Sequence, residues 1–360
     1  MLQKDSVKVI SFLLSHNKVQ KLKPITQCNL WLKKLYYKIK KIKTKSLTYS
    51  HTEQCSRLNQ EQYISDRFTA EPIKNEIRQI TNCNIYKIMN TEVVIASKNN
   101  KLNMKYIGDL ITIMKKLSGM INTPNLINIW NTEHPKQLPN RCSRLEPENI
   151  NSGSTLPGEY INLWRHEEIY KVLIHELVHT LDLDFRDMTV IQPYIRSRFN
   201  ISGDSPVLIW ESYTEFIAII IHSMYFSKTF ESFLTILSIE LEYSLFQTAK
   251  ILHNFGCDNL NDLQNGSCQV SYDTDILSYF YIKTALLFSF NDSIEYCNKY
   301  NINILKFNVN ATHEYLDLII KTTNNNEFIF KINSYISYLK SNEKKDDTIF
   351  KTLKMSIINL

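Results

Sequence analysis

The string His175-Glu176-Leu177-Val178-His179 constrains this chain more than any other feature of it. It lies in a run, His166 to Leu183, whose apolar residues Ile169, Val172, Leu173, Leu177, Val178 and Leu181 recur at helical spacing. On a helix, two histidines four apart stand about 6 Å from each other on one face. Two imidazoles so placed reach one metal ion at roughly 2.0–2.1 Å. Glu176, next to the first histidine, is placed to take a proton from a metal-activated water, the general-base part of metal-assisted hydrolysis. The chain must therefore bury a helix that carries three ionisable groups, and a further ligand must come from elsewhere.

That ligand is not a third histidine close by. Six residues beyond His179 stands Phe185, and Asp184 is one residue out of that register. Downstream, Trp210-Glu211-Ser-Tyr-Thr-Glu215-Phe-Ile reads as a second helix, apolar apart from two carboxylates four apart. Buried carboxylates are costly unless paired or metal-bound. Glu211 as third ligand and Glu215 on the N–H of a ligand histidine would satisfy both, and the reverse assignment stays open. Asp182, three residues after His179, is expected as a second acid behind the ligands, with Asp184 the weaker choice. Hydrolysis also needs a donor for a developing oxyanion. Tyr213, Tyr194 and His222 are the candidates.

With these residues in view, the chain resembles the gluzincin class of zinc metallopeptidases. The resemblance implies a zinc ion (Zn2+) held by His175, His179 and Glu211, with Glu176 as base and Glu215 contacting a ligand histidine. It covers about Asn151 to Phe226. The string Asn151-Ser-Gly-Ser-Thr, the strand Tyr160–Trp164 and Arg165-His-Glu-Glu also resemble uncharacterised H-E-x-x-H proteins of giant DNA viruses. By analogy with zincins, Tyr160–Trp164 would be the edge strand that holds substrate backbone. The implied activity is hydrolysis of peptide bonds in a peptide or protein substrate. The competing expectation is a non-catalytic virion or host-interaction protein on a zincin-like scaffold.

The rest of the chain supplies the frame. Asn84–Asn90 and Thr91–Ser97 read as strands around a turn, Met104–Ser118 as a helix, and Asn125–Asn131 as a strand. Beyond residue 205, Pro206–Phe226, Phe230–Phe255 and Asp273–Phe288 read as helices. The expected fold class is α+β and zincin-like: a small mixed sheet with the active-site helix, followed by a mostly helical part. Three parts are expected: a basic segment 1–52, an α+β part 53–185 with the motif helix, and a helical part 186–360 with the third ligand. Only 7 glycines occur in 360 residues and no phosphate-binding glycine string exists, which argues against a nucleotide fold.

The net charge of +6 is unevenly spread. From Ser6 to Thr52 there are eleven lysines and no acid, and residues 1–5 are neutral in sum, so the remainder carries −5. Within that segment Trp31, Leu35, Ile39 and Ile42 fall on one helical face and Lys34, Lys38, Lys41 and Lys45 on another. An anionic partner for 6–52 is expected on this ground, as is the alternative of a solvated helix docked on its own domain. No transmembrane span is expected, and Val9–Leu14 is too short for the core of a signal peptide. Seven scattered cysteines suggest reduced thiols and an intracellular setting, host cytoplasm or virion if the protein is viral.

Overall fold

A computed structural model describes residues 4–16, 19, 21–43, 49–54, 68–98, 102–186, 191–199, 201, 205–268, 270–342 and 348–358. Among these, six strands form one mixed sheet: β1 (Tyr49–Gln54), β2 (Cys83–Ile88), β3 (Thr91–Ala96), β4 (Leu126–Trp130), β5 (Gly153–Leu156) and β6 (Tyr160–Leu163). Their spatial order is β1-β2-β3-β4-β6-β5. β3, β4 and β6 run parallel; β1 is antiparallel to β2, β2 to β3, and β5 to β6. The fold is α+β, with a mostly helical part after the sheet.

The strand alternation sorts side chains to two faces. Val93, Ile95, Ile127, Ile129, Ile161 and Leu163 enter the main core, beneath the helices Met104–Ser118 and Ile169–Thr180. Ala96, Trp130 and Trp164 point the other way, onto Ile73 and Ile77 of the helix Glu71–Arg78. The buried amide of Asn128 donates to Asn162 across β4 and β6 (2.9 Å), so this polar pair leaves no gap in the layer.

The Met104–Ser118 helix has the bounds that its spacing predicts, because both ends are specified. Asn103 caps the first turn by accepting from Lys105 N, and Gly119 at φ 81° ends the last. The sheet differs from expectation at one point that matters for the site. β6, expected at the edge, is an interior strand; β5 covers it and is itself the edge.

After the sheet come the helices Ile191–Arg198, Trp210–Phe226, Phe230–Asn254, Leu260–Asn265, Lys283–Phe288, Phe290–Tyr300, Thr312–Thr323, Asn326–Ser341 and Thr348–Lys351, with a π-helical turn at Leu277–Ile282. One hydrophobic core runs from Val9 in the first helix, Lys4–His16, to Ile358, and draws on all three expected parts. In the basic helix Thr26–Lys43, Trp31, Leu35, Ile39 and Ile42 are buried in that core, while Lys34, Lys38 and Lys41 are exposed. Its apolar face is thus docked on its own domain; Lys45 lies outside the described residues. No described helix is long and apolar enough to cross a membrane.

Cys257 and Cys268 form a disulfide, a departure from the expectation of reduced thiols throughout. The short helix Leu260–Asn265, ended by Gly266 at φ 78°, folds the chain back and brings their Cα atoms to 5.2 Å.

Candidate metal centre

The helix Ile169–Thr180 is buried along its whole length, so its polar side chains all need partners inside the protein. It packs against the helix Trp210–Phe226, which carries Glu211 and Glu215. Together they place His175 Nε2, His179 Nε2 and Glu211 Oε2 in a triangle. The two nitrogens are 3.0 Å apart, and Glu211 Oε2 is 3.1 Å from His175 Nε2 and 3.3 Å from His179 Nε2. Ligands roughly 2.0–2.1 Å from a tetrahedral zinc stand about 3.3 Å from one another. The three donors have that spacing, and this buried group can hold a metal ion.

The donor set also suits a cation. Glu211 Oε2 is buried and makes no hydrogen bond of its own among the described residues. Each imidazole has a carboxylate beside its other nitrogen: Glu215 Oε1 lies 2.7 Å from His175 Nδ1, and Asp184 Oδ2 lies 2.6 Å from His179 Nδ1. A carboxylate at Nδ1 favours the tautomer with the proton there, which turns both Nε2 lone pairs toward Glu211. Three donor atoms then converge on one point. Burial alone would push the histidine pKa values down. Glu211, with Glu215 at His175 and Asp184 at His179, outweighs it and raises both, His179 strongly. Conversely, burial favours protonation of Glu211 and Glu215, yet the histidines, and Lys171 at Glu215, hold both well below the usual carboxylate range.

Glu211 therefore faces the histidine pair and Glu215 stands behind His175, the first of the two assignments read from the sequence. Lys171, one turn before His175, supports Glu215 through a buried ion pair. The sequence reading passed over Lys171. Its signal was available: a lone lysine one turn ahead of the first motif histidine, in an otherwise apolar turn of the helix.

Asp182 is not behind the ligands. The helix ends in a Schellman arrangement: Leu183 N donates to Val178 O and Asp182 N to His179 O, with Asp182 in the left-handed region at φ 51°. That turn points Asp182 outward, 69% exposed and paired with Lys306 (2.6 Å). It also brings Leu183 and Asp184 back under the helix, so Asp184 is the acid that reaches His179.

Glu176 Oε2 accepts from Thr155 Oγ1 of β5 (2.6 Å). Gly153, on the same strand, lies so close that a Cβ there would fall 2.6 Å from Glu176 Oε1. Burial raises the Glu176 pKa above the ordinary carboxylate value, and the nearby histidines only partly offset this. β5 thus fixes the proposed base.

None of the three expected oxyanion donors is in position. Tyr213 is committed elsewhere, donating to Leu305 O and accepting from Asn301. Tyr194 is 41% exposed on the helix Ile191–Arg198, and His222 is buried beside Phe226; neither borders the cavity at the site. Burial pushes the His222 pKa down to about 3, so it carries no charge. The tyrosine at the cavity is Tyr279, on the π-helical turn, with its ring 6.0 Å from that of His175. Burial and the carboxylates of Glu211, Asp275, Glu176 and Glu215 hold its hydroxyl protonated, well above the ordinary tyrosine pKa. The cavity that Tyr279 shares with Gly153, His175 and Glu176 measures about 30 Å³, room for a water or two.

No family profile and no solved structure matches this chain. Over 205 residues the chain is 31% identical to a protein of Acanthamoeba polyphaga mimivirus described only as uncharacterized, an alignment covering 52% of this chain. The chain spans about half the length of that curated relative, 50%. It is thus similar, over half its length, to a giant-virus protein to which no activity is assigned.

Proposed function

We propose that the protein is a zinc-dependent metallopeptidase of gluzincin type. The observation that carries this reading is Glu176, a buried carboxylate held by Thr155 beside the His175–His179–Glu211 triangle. A purely structural site would close its tetrahedron with a fourth protein ligand, whereas among the described residues only these three converge and Glu176 is held beside them by a separate strand. Two imidazoles and one carboxylate are a donor set that suits a catalytic zinc ion, which would keep one position for water. A zinc ion there supplies Lewis-acid polarisation of a carbonyl and lowers the pKa of water.

The chain's own groups do the rest. Glu176, with its pKa raised, takes a proton from the attacking water and passes it to the leaving amine. Tyr279 donates its hydroxyl proton to the carbonyl oxygen as negative charge grows there, the part expected of Tyr213, Tyr194 or His222. Asp184 and Glu215 keep the two imidazoles in one tautomer. β5, as the sheet edge, aligns an extended substrate backbone by strand addition.

The test is Glu176→Gln. Zinc content by elemental analysis should match wild type, while hydrolysis of casein falls at least a hundredfold. Cleavage at the wild-type rate would refute the mechanism.

A further inference from the structure

The segment Thr352–Ile358, near the end of this chain, is buried without belonging to any helix or strand. It makes one isolated bridge, Gln137 to Thr352. Leu353, Met355, Ser356, Ile357 and Ile358 are all buried. Its backbone is held chiefly by side chains, as a bound peptide's would be. Glu168 Oε1 accepts from Met355 N and Ser356 N, at 2.8 and 2.5 Å. Glu240 accepts from Ser356 Oγ, Ile357 N and Ile358 N. On the carbonyl side, Gln247 donates to the oxygens of Thr352 and Lys354, and Lys250 donates to those of Ile349 and Thr352.

Charged groups in a protein interior are costly to keep. Glu240 is fully buried, and every hydrogen bond it makes among the described residues goes to this segment. Lys250 is likewise buried and donates to Thr352 O of the segment and to Ile349 O just ahead of it. The trough is lined with groups that recognise a polypeptide backbone rather than particular side chains.

The trough also runs past the metal centre. Met355 borders the site cavity along with His175, Glu176 and Tyr279, and its sulfur lies 3.7 Å from Lys171 Nζ. On the segment's other side is a cavity of about 200 Å³ bordered by Thr352, Lys354, Ser356 and Ile357. Lys136 borders both cavities. Met355 thus faces the site cavity, while Thr352, Lys354, Ser356 and Ile357 border the surface cavity. The segment is therefore the wall between the site and a surface cavity.

We propose that this trough is a binding site for a polypeptide segment, recognised through its backbone and filled here by the chain's own residues 352–358, and that their displacement opens the metal centre. The binding site stands on the contacts above. Its consequence for hydrolysis rests on the metallopeptidase reading, so the test reads the two separately.

Full-length Glu240→Gln and, independently, Ile357→Pro each weaken the hold on the segment without touching the metal centre. Three measurements are made on the zinc-loaded variants. These are amide exchange of 352–358 against the helix Ile169–Thr180, the rate at which EDTA strips zinc, and casein cleavage. A synthetic peptide of residues 350–358 is then added to the Ile357→Pro variant, whose trough is unaltered. The expected result is that segment amides exchange at least tenfold faster and motif-helix amides do not. Zinc stripping speeds up at least fivefold, and the peptide slows it again. If the peptidase reading also holds, cleavage rises in the variants and falls when the peptide is added. A segment that merely completes the core gives the opposite sign: cleavage lost in the variants and restored by the peptide. That result overturns the proposal, as does exchange of the motif helix together with the segment, or faster segment exchange with zinc stripping unchanged. Accelerated, peptide-reversible stripping with no cleavage in any sample would uphold the trough and sink the peptidase.

Discussion

Two aspartates separated by one residue have opposite fates, and a backbone angle decides between them. Asp182 occupies the left-handed cap of the motif helix and turns to solvent. Asp184, past the turn, reaches His179 at 2.6 Å. Acids behind a metal ligand commonly alter affinity 10–100-fold. Asp184→Asn should therefore weaken zinc binding by about that factor, and Asp182→Asn should leave it unchanged, in a competition titration against a chromophoric chelator. Equal effects would mean that Asp184 does not orient His179. The converging donors were legible because helical period alone puts His175 with His179 and Glu211 with Glu215 on common faces. The acid behind His179 was not legible, because a helix cap breaks the period and the left-handed position here is filled by aspartate instead of glycine. Tyr279 was beyond reach for another reason: nothing in local spacing says which distant turn will pack over a histidine.

Among the elements, the edge strand β5 does most to shape the site, and it is the one that the residue pattern hid. Gly153–Leu156 is four residues long, starts with glycine and shows no alternation of apolar and polar side chains. Its neighbour β6, with Ile161 and Leu163 in the core, carries the stronger strand signal and reads as the edge until the pairing is known. Longer elements with explicit ends, such as Met104–Ser118 between Asn103 and Gly119, were readable from period and caps together. The same strand yields a prediction. A methyl group at position 153 would collide with the Glu176 carboxylate, which Thr155 already pins from the side. Misplacing a catalytic group by about 1 Å can cost up to 10²-fold. Gly153→Ala should lower kcat on casein by tenfold or more, with zinc content and the unfolding midpoint near wild type. An unaltered kcat would mean that β5 does not set the position of the base.

At the scale of the whole molecule, the features that set the fold together are buried charges, and these make stability depend on pH in a way that net charge does not suggest. Asp275 ties the ligand helix to the π-helical turn: it accepts from Leu208 N, just ahead of Trp210–Phe226, and from Ser278 N and Oγ, next to Tyr279. Burial pushes its pKa up to about 7, against 3.8 for the free side chain. The native state therefore keeps a proton that the unfolded state gives up. With a folded pKa above the unfolded one, an acid loses stability as pH rises between the two values, here from about 4 to about 7. At ~1.36 kcal/mol per pKa unit the upper bound is about 4 kcal/mol, an order-of-magnitude figure. Glu240, whose pKa burial also raises, acts in the same direction. Glu211 and Glu215, with depressed pKa values, act oppositely only below the ordinary carboxylate value, whereas His222 and Lys250, whose pKa values burial lowers, oppose Asp275 within the window, so its own share is read from the variant. Zinc must be absent for the comparison, because its binding strengthens as the histidines lose protons. In excess chelator, the urea midpoint should be higher at pH 5.5 than at pH 8. Asp275→Asn, which cannot ionise, should shrink that difference while still costing stability through an imperfect set of hydrogen bonds. A variant with the full wild-type pH slope would show that Asp275 is not the group that titrates, and that its three donors hold it ionised in the fold.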